Sequence, residues 1–237
     1  MAGPAYPSFV GIALVIAIAV VGLARVSQAA AHGPDADDSV DATESLPTGA
    51  LLVNVLLTHG VVVILIGVTA WIAAVPHPVL GLGPATRGIS AGVLGVAAGV
   101  VVYLLDEVLT VLARAVGLVP SERLRESLSP SSVGGWVTLF VGVLPVVAFA
   151  EELLFRAALV GVATTGLGAP VWLAVAGSSL LFGAAHGVQG PGGVIVTGVL
   201  GVALAGVFLA SGSLLTVVVA HYLVNVLEFV VHEDLDW

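Results

Sequence analysis

The sequence predicts an all-α protein, a polytopic bundle of about seven transmembrane helices in a single membrane domain. Of the 237 residues, 59% are hydrophobic and only 9% are charged, whereas a typical soluble domain has about 25% charged residues. The mean hydropathy is +1.17. Apolar segments near the roughly 20 residues that a spanning helix requires recur along the chain. Only helices and closed barrels satisfy backbone polar groups in lipid, so these segments are expected to be packed helices.

The apolar segments place the predicted spans in order along the chain. The first segment lies where a signal peptide would, but no Lys or Arg precedes it and Arg25 follows it, which favours a retained span. The third segment has two plausible ends, at residue 105 or at residue 118. The spans are predicted at 8–26, 50–75, 89–105 (or 89–118), 136–164, 170–186, 192–211 and 213–231.

Three polar stretches connect these spans. Residues 32–45 contain five acidic residues and are predicted to form a solvated loop. Residues 76–88 contain three prolines and three glycines, and residues 121–135 carry acidic and basic side chains. No repeat or domain boundary is evident. Residues 1–135 are therefore predicted to be N-terminal membrane helices, joined in one domain to a helical core at residues 136–231.

The composition excludes several classes of function. The chain has no cysteine, which excludes disulfides, thiolate metal sites and cysteine nucleophiles. Its net charge is −9, and Lys and Arg together number only six. Nucleic acid is not an expected partner, because nucleic-acid binding relies on clustered basic residues. The expected location is the cell membrane, as a multi-pass protein in contact with the lipid bilayer.

Two carboxylates and a guanidinium interrupt the fourth predicted span. Glu151, Glu152 and Arg156 lie in one apolar run, although ionisable groups at membrane depth are costly unless paired or hydrated. Helix geometry makes Glu152 and Arg156 neighbours at i and i+4, whereas Glu151 lies about 140° around the axis from Arg156. We therefore expect Glu152 and Arg156 to neutralise each other and Glu151 to be free for general-base chemistry.

Two later spans contribute matching polar groups. His186 ends the fifth span just before a glycine-rich turn, and His221 and Asn225 project from one face of the last span at i and i+4. Imidazole and amide groups can donate hydrogen bonds to a developing oxyanion. At about 1.5 Å rise per residue, these three side chains and Glu151 can meet at one depth in the bundle.

These polar motifs, in this order, resemble the CPBP family, which comprises the type II CAAX prenyl endopeptidases and related bacteriocin-processing and immunity proteins. The motifs are Glu-Glu-x-x-x-Arg starting at Glu151, Phe-x-x-x-His ending at His186 and His-x-x-x-Asn starting at His221. Ala157 departs from the glycine that many members have after the arginine. The resemblance covers roughly residues 136–231 and identifies them as the catalytic core.

The resemblance implies an intramembrane endopeptidase that hydrolyses membrane-associated or prenylated peptides. Glu151 matches the catalytic glutamate, and His186 would help it to activate water. His221 and Asn225 would stabilise the oxyanion, and the predicted ion pair matches the supporting carboxylate and arginine of the first motif. No residue is assigned to a cofactor, and the sequence leaves the oligomeric state open.

Other mechanisms and functions remain alternatives. The family has been described both as metalloproteases and as glutamate-dependent proteases, and two histidines with a glutamate could bind zinc. The absence of a His-Glu-x-x-His helix favours metal-independent catalysis. A small transporter or proton relay would also use Glu and His in a bundle, but no inverted repeat is evident. A non-catalytic immunity protein would keep the fold without the reaction.

The other polar residues of the apolar segments receive structural interpretations. His59 is a single histidine in the second span and is predicted to pack or to contact water. Asp106 and Glu107 are predicted to mark the end of the third span at the interface, with the alternative that one of them lines a cavity. Glu228 shares a helix face with His221 and is the strongest candidate for an additional site residue.

Overall fold

A computed structural model describes residues 3–31 and 47–234 of the chain. All regular elements in these residues are helical. Short 3-10 turns lie in the connectors at 77–80, 84–86 and 187–189. The predicted acidic loop at 32–45 lies outside the described residues. The described helices are α1 (Tyr6–Ala31), α2 (Thr48–Ile72), α3 (Ile89–Ala115), α4 (Arg123–Leu128), α5 (Val133–Leu167), α6 (Val171–Ala185), α7 (Gly190–Ser211) and α8 (Leu214–Phe229).

Each predicted span corresponds to one of these helices, and the all-α membrane fold is confirmed. Of the helices in residues 3–31 and 47–234, six are long and apolar enough to cross a membrane, namely α1, α2, α3, α5, α7 and α8. The helix α3 reaches Ala115, which confirms the longer alternative for the third span. The fifth predicted span is α6, which has only 15 residues. Large apolar side chains on the outside of the bundle are exposed, as a surface facing lipid requires. The chain is a multi-pass membrane protein.

The central helix of the bundle is α5, and it is not a regular α-helix. Two stretches of it, Thr138–Val143 and Glu152–Val162, have π-helical hydrogen bonding. The first ends just before Pro145, which has no backbone N–H to donate to a regular helical turn. Every residue of the second stretch is buried. Wide turns of this kind are rare and occur often at functional sites, and here the wide turn begins directly after Glu151.

Close packing of α3 against α8 sets the position of the last helix. A Cβ atom added to Gly95 would lie 2.7 Å from the Thr216 carbonyl oxygen, and one added to Gly99 would lie 2.9 Å from the Ala220 carbonyl oxygen. Glycine therefore allows the two backbones to approach, as small residues commonly do between membrane helices. The Thr216 hydroxyl also donates to the Ala91 carbonyl at 3.1 Å. These contacts hold the segment of α8 that carries the site residues.

Candidate active site

The side chain of Glu151 lies in a cavity of about 330 Å³ inside the helix bundle. The residue stands at the point where α5 changes from α-helical to π-helical hydrogen bonding. Its side chain is 15% exposed, and its Oε2 atom is buried without a hydrogen-bond partner among the described residues. A carboxylate with an unsatisfied oxygen in a cavity is placed to take up a proton or to bind a water molecule.

Three imidazole rings surround the Glu151 carboxylate. The Nε2 atoms of His59 and His186 lie 3.5 Å and 4.0 Å from Oε1. The Nε2 atom of His221 lies 3.6 Å from Oε2. The rings come from α2, from the C-terminal end of α6 and from α8. The structure therefore brings together the predicted residues Glu151, His186 and His221, and it adds His59.

Each of the three rings is fixed through its other nitrogen. The Nδ1 atoms of His59 and His186 lie 2.8 Å from the carbonyl oxygens of Val55 and Phe182, and each carbonyl belongs to the residue four positions earlier. Carbonyl oxygens only accept hydrogen bonds, so each Nδ1 carries a proton and donates it. The Nε2 atom of each of these rings then faces Glu151, as a lone pair in the neutral ring and as an N–H donor in the protonated ring. The cluster can therefore exchange protons between carboxylate and imidazole.

The predicted ion pair forms behind the cavity wall. The Nη1 atom of Arg156 donates to Glu152 Oε1 at 2.8 Å, and the two side chains are 1% and 0% exposed. The same Oε1 atom accepts from Nδ1 of His221 at 2.7 Å. Glu152 therefore links the guanidinium to the imidazole, and through it the pair orients the ring that faces Glu151.

The ring of Phe182 supports several of these groups. Its centroid lies 4.2 Å from the Arg156 guanidinium carbon, an arrangement that favours a cation over the ring face. The rings of His186 and His221 lie 4.7 Å and 5.9 Å from it, centroid to centroid. The four-residue spacing of Phe182 and His186 thus lets one residue provide both a backbone acceptor and a packing surface for the imidazole.

Asn225 lines the same cavity, one turn along α8 from His221. Its amide is on the face of the helix that the sequence predicts. Glu228, a further turn along α8, lines the cavity too but does not contact Glu151. Its Oε2 atom lies 3.4 Å from Nη1 of Arg125. Two helical turns carry Glu228 away along the helix axis, so the structure does not add it to the residues around Glu151.

A second group of ionisable side chains lies further along the cavity, and we call it the outer cluster. His232 Nε2 is 2.9 Å from Glu107 Oε1 and 3.9 Å from Glu228 Oε2. We call the first group, with Glu151 at its centre, the inner cluster. The outer cluster comprises Asp106, Glu107, Arg125, Glu228 and His232, and the inner cluster comprises His59, Glu151, Glu152, Arg156, His186 and His221.

The structure adds to two interpretations from the sequence. His59 was predicted to pack or to contact water; it lines the cavity, and its Nε2 atom is nearer to the Glu151 carboxylate than that of His186. Asp106 and Glu107 both line the cavity, which was the alternative for one of them. A single histidine in an apolar helix carries no local signal of what lies opposite it in the fold.

The inner cluster does not form a compact set of metal ligands. Zinc binds histidine nitrogen at about 2.0–2.1 Å, so its ligand atoms must lie close to one another. Within residues 3–31 and 47–234, the set of three ligand atoms that all lie within 4.8 Å of one another is Glu107, Glu228 and His232 of the outer cluster. At Glu151 the imidazole nitrogens instead surround a carboxylate.

One comparison with known proteins gives a match. A protein-family model described as Rce1-like, type II CAAX prenyl endopeptidase, matches residues 133–227. No curated protein and no solved structure matches the chain. The matched segment begins with α5 and ends within α8, so it contains Glu151, His186, His221 and Asn225. It does not include α2 or His59.

Proposed function

We propose that this chain, which over residues 133–227 belongs to the type II CAAX prenyl endopeptidase Rce1-like family, is an intramembrane endopeptidase with Glu151 as its catalytic base. The observation that carries the proposal is the placement of a cavity carboxylate 3.5–4.0 Å from three imidazole nitrogens. A base that activates water must lie within reach of that water and of groups that can exchange protons with it. The inner cluster meets both conditions.

Hydrolysis begins with the activation of water. Glu151 accepts a proton from a water molecule in the cavity, and the water oxygen forms a bond to the carbonyl carbon of the peptide. His186 lies on the Oε1 side of the carboxylate and orients the same water. Its own orientation is fixed by the hydrogen bond from Nδ1 to Phe182, so little freedom is lost when the water is held.

The tetrahedral intermediate carries an oxyanion, which His221 and Asn225 stabilise. Asn225 donates from its amide, and His221 donates from Nε2 when the ring is protonated. The ring is held in place because its Nδ1 donates to the Glu152 carboxylate at 2.7 Å. A buried carboxylate orients the catalytic histidine of serine hydrolases in the same way. Arg156 in turn keeps Glu152 in place.

The proposed substrates are peptides at the membrane, including prenylated C-terminal tails, and the proposed location is the cell membrane. The family description supports the first part of this proposal. The cavity lies among helices that cross the membrane, so a substrate anchored in the bilayer reaches it without leaving the membrane. Metal-independent catalysis is part of the proposal, which the lack of a His-Glu-x-x-His motif in the sequence supports.

The test uses the full chain in liposomes and two fluorescence-quenched peptides that differ only in a farnesyl group on the cysteine of a Cys-aliphatic-aliphatic-X tail. We expect the farnesylated peptide to be cleaved and the variant Glu151→Gln to cleave neither peptide. Equal cleavage of both peptides would show that the prenyl group is not recognised, but it would still support endopeptidase activity. If the wild-type protein cleaves neither peptide, the proposed function is wrong.

Two further measurements address the alternatives. Metal analysis of the purified protein and treatment with 1,10-phenanthroline test metal-independent catalysis, which stoichiometric zinc and inactivation by the chelator would contradict. A pH-sensitive dye inside sealed vesicles tests the proton relay. Proton flux that depends on Glu151, without cleavage of either peptide, would replace the endopeptidase with a relay.

A further inference from the structure

The helix α2 lies outside the segment that matches the family model, yet it provides one of the three imidazoles at Glu151. His59 Nε2 lies 3.5 Å from Glu151 Oε1, the shortest of the three separations between imidazole and carboxylate. The side chain lines the cavity and is 24% exposed. It is therefore in contact with the space that water and substrate occupy.

His59 is anchored through Nδ1 as His186 is, but it comes from a different helix. His186 and His221 both pack against the Phe182 ring. His59 is fixed by its Nδ1 hydrogen bond to the Val55 carbonyl, within its own helix. Its Nε2 atom is left for chemistry in the cavity, and the ring belongs to an element independent of the one that carries the base.

Amide hydrolysis needs two proton transfers. The role proposed for Glu151 accounts for only one of them. Glu151 removes a proton from water, whereas the leaving nitrogen must gain a proton before the C–N bond can break. His221 is engaged by Glu152 and donates to the oxyanion, and His186 orients the water. His59 is the remaining imidazole in the inner cluster, and its Nε2 atom adjoins the oxygen of Glu151 that can return a proton to it.

We propose that His59 is the general acid that protonates the leaving amine, an inference that rests on the proposed endopeptidase function. The protonated ring donates its Nε2 proton to the amide nitrogen as the C–N bond breaks and the tetrahedral intermediate collapses to a carboxylic acid. Glu151, which holds the proton taken from water, then returns a proton to His59. The net reaction consumes one water molecule and leaves both side chains in their starting states.

The leaving group provides a direct test of this role. A p-nitrophenyl ester releases a phenolate, which needs no proton, whereas a peptide amide releases an amine that does. We would compare the farnesylated peptide with a p-nitrophenyl ester of the same farnesylated acyl fragment, using the full chain in liposomes. His59→Asn keeps an amide donor for the Val55 carbonyl but cannot act as an acid. We expect its kcat on the peptide to fall about 10²–10⁴-fold, with KM and the ester rate nearly unchanged.

Controls separate this proposal from a structural role and from the proposed function. Asn54→Ala changes an exposed polar residue on the same helix and should affect neither substrate. In His59→Ala, added imidazole should restore peptide cleavage if the missing group is an acid. Equal losses on peptide and ester, or a peptide kcat within about threefold of wild type, would overturn the role of His59 while leaving Glu151 as the base. Loss of wild-type cleavage, or full activity of Glu151→Gln, would overturn the proposed function itself.

Discussion

The inner and outer clusters share one cavity but differ in how their charges are held. In the inner cluster the Glu152–Arg156 pair is almost fully buried, and its carboxylate also orients an imidazole. In the outer cluster Asp106 is buried, but the Glu107 and Glu228 side chains are 34% and 30% exposed. Water can therefore screen the charges of Glu107 and Glu228, whereas Glu152 and Arg156 depend on each other.

Because of this difference, reactivity is expected in the inner cluster. Interactions between exposed charges contribute little free energy, because water competes with them and ordering long side chains is unfavourable. A buried charge that loses its partner is strongly destabilised, so the inner groups keep one geometry. A fixed geometry is what catalysis by preorganised groups requires. Substitutions of similar chemistry should therefore have much larger effects in the inner cluster than in the outer one.

The largest effect is expected for Glu151→Gln. The amide keeps the size of the side chain but cannot accept the proton from water, so peptide cleavage should be abolished in liposomes. The melting temperature should stay near that of wild type, because the carboxylate makes only contacts of 3.5–4.0 Å. Cleavage at the wild-type rate would show that the base lies elsewhere.

The second effect concerns the free energy of unfolding. Arg156→Ala leaves Glu152 buried without its guanidinium partner, and losses of this kind reach about 3–5 kcal/mol. Glu151→Ala removes a carboxylate without such a partner and should destabilise less. Thermal melting of both variants in one detergent gives the comparison. If Glu151→Ala lowered the melting temperature more than Arg156→Ala, the Glu152–Arg156 pair would not be the main stabilising interaction in this part of α5.

The third effect concerns α8. If His221 and Asn225 stabilise the oxyanion, replacing either residue with Ala should lower kcat about 10²–10³-fold and change KM much less. Steady-state kinetics on the farnesylated peptide measure this. His221→Ala should also lower stability, because Glu152 loses its hydrogen bond from this ring. Asn225→Ala should not affect stability. Unchanged kcat in both variants would remove α8 from the mechanism.

The smallest effect is expected in the outer cluster. Glu107→Gln makes the same chemical change as Glu151→Gln but at a side chain that is 34% exposed. Its contact with His232 should contribute at most about 1 kcal/mol to stability. Peptide cleavage should remain within about threefold of wild type on the same grounds. If Glu107→Gln lost as much cleavage activity as Glu151→Gln, the two clusters would not differ in this way, and the outer cluster would take part in the reaction.

Features that depend on nearby residues in the sequence could be predicted, whereas contacts between distant segments could not. Segments of about 20 apolar residues gave the helices, and four-residue spacing within one helix gave the Glu152–Arg156 pair, because both are local properties. The meeting of Glu151, His186 and His221 followed from helix rise and from motif order. His59 could not be found in this way, since the approach of α2 to α5 depends on packing between distant segments. Glu228 was proposed as a site residue because it shares a helix face with His221. A shared face does not say how far apart two residues lie along the helix axis.

The irregular path of α5 was also beyond reach from the sequence. Pro145 signals a disturbed helix, but nothing in the residues after Glu151 predicts that their hydrogen bonds change to a π-helical pattern. The wide turn is sustained by the burial of every residue from Glu152 to Val162. Tertiary packing therefore determines this stretch, whereas intrinsic preferences would give a regular helix.

The shortness of α6 has a consequence for the surrounding lipid. Its 15 residues rise about 22 Å, whereas the hydrocarbon layer of a typical bilayer is about 30 Å thick. A short apolar element is accommodated by local thinning of the bilayer, at a modest free energy for each ångström of mismatch. His186 stands at the end of this helix, so thinning there brings headgroups and water towards Glu151, the proposed base. Under the proposed function, lipid acyl-chain length thereby becomes a determinant of how deep in the bilayer a peptide bond is cut.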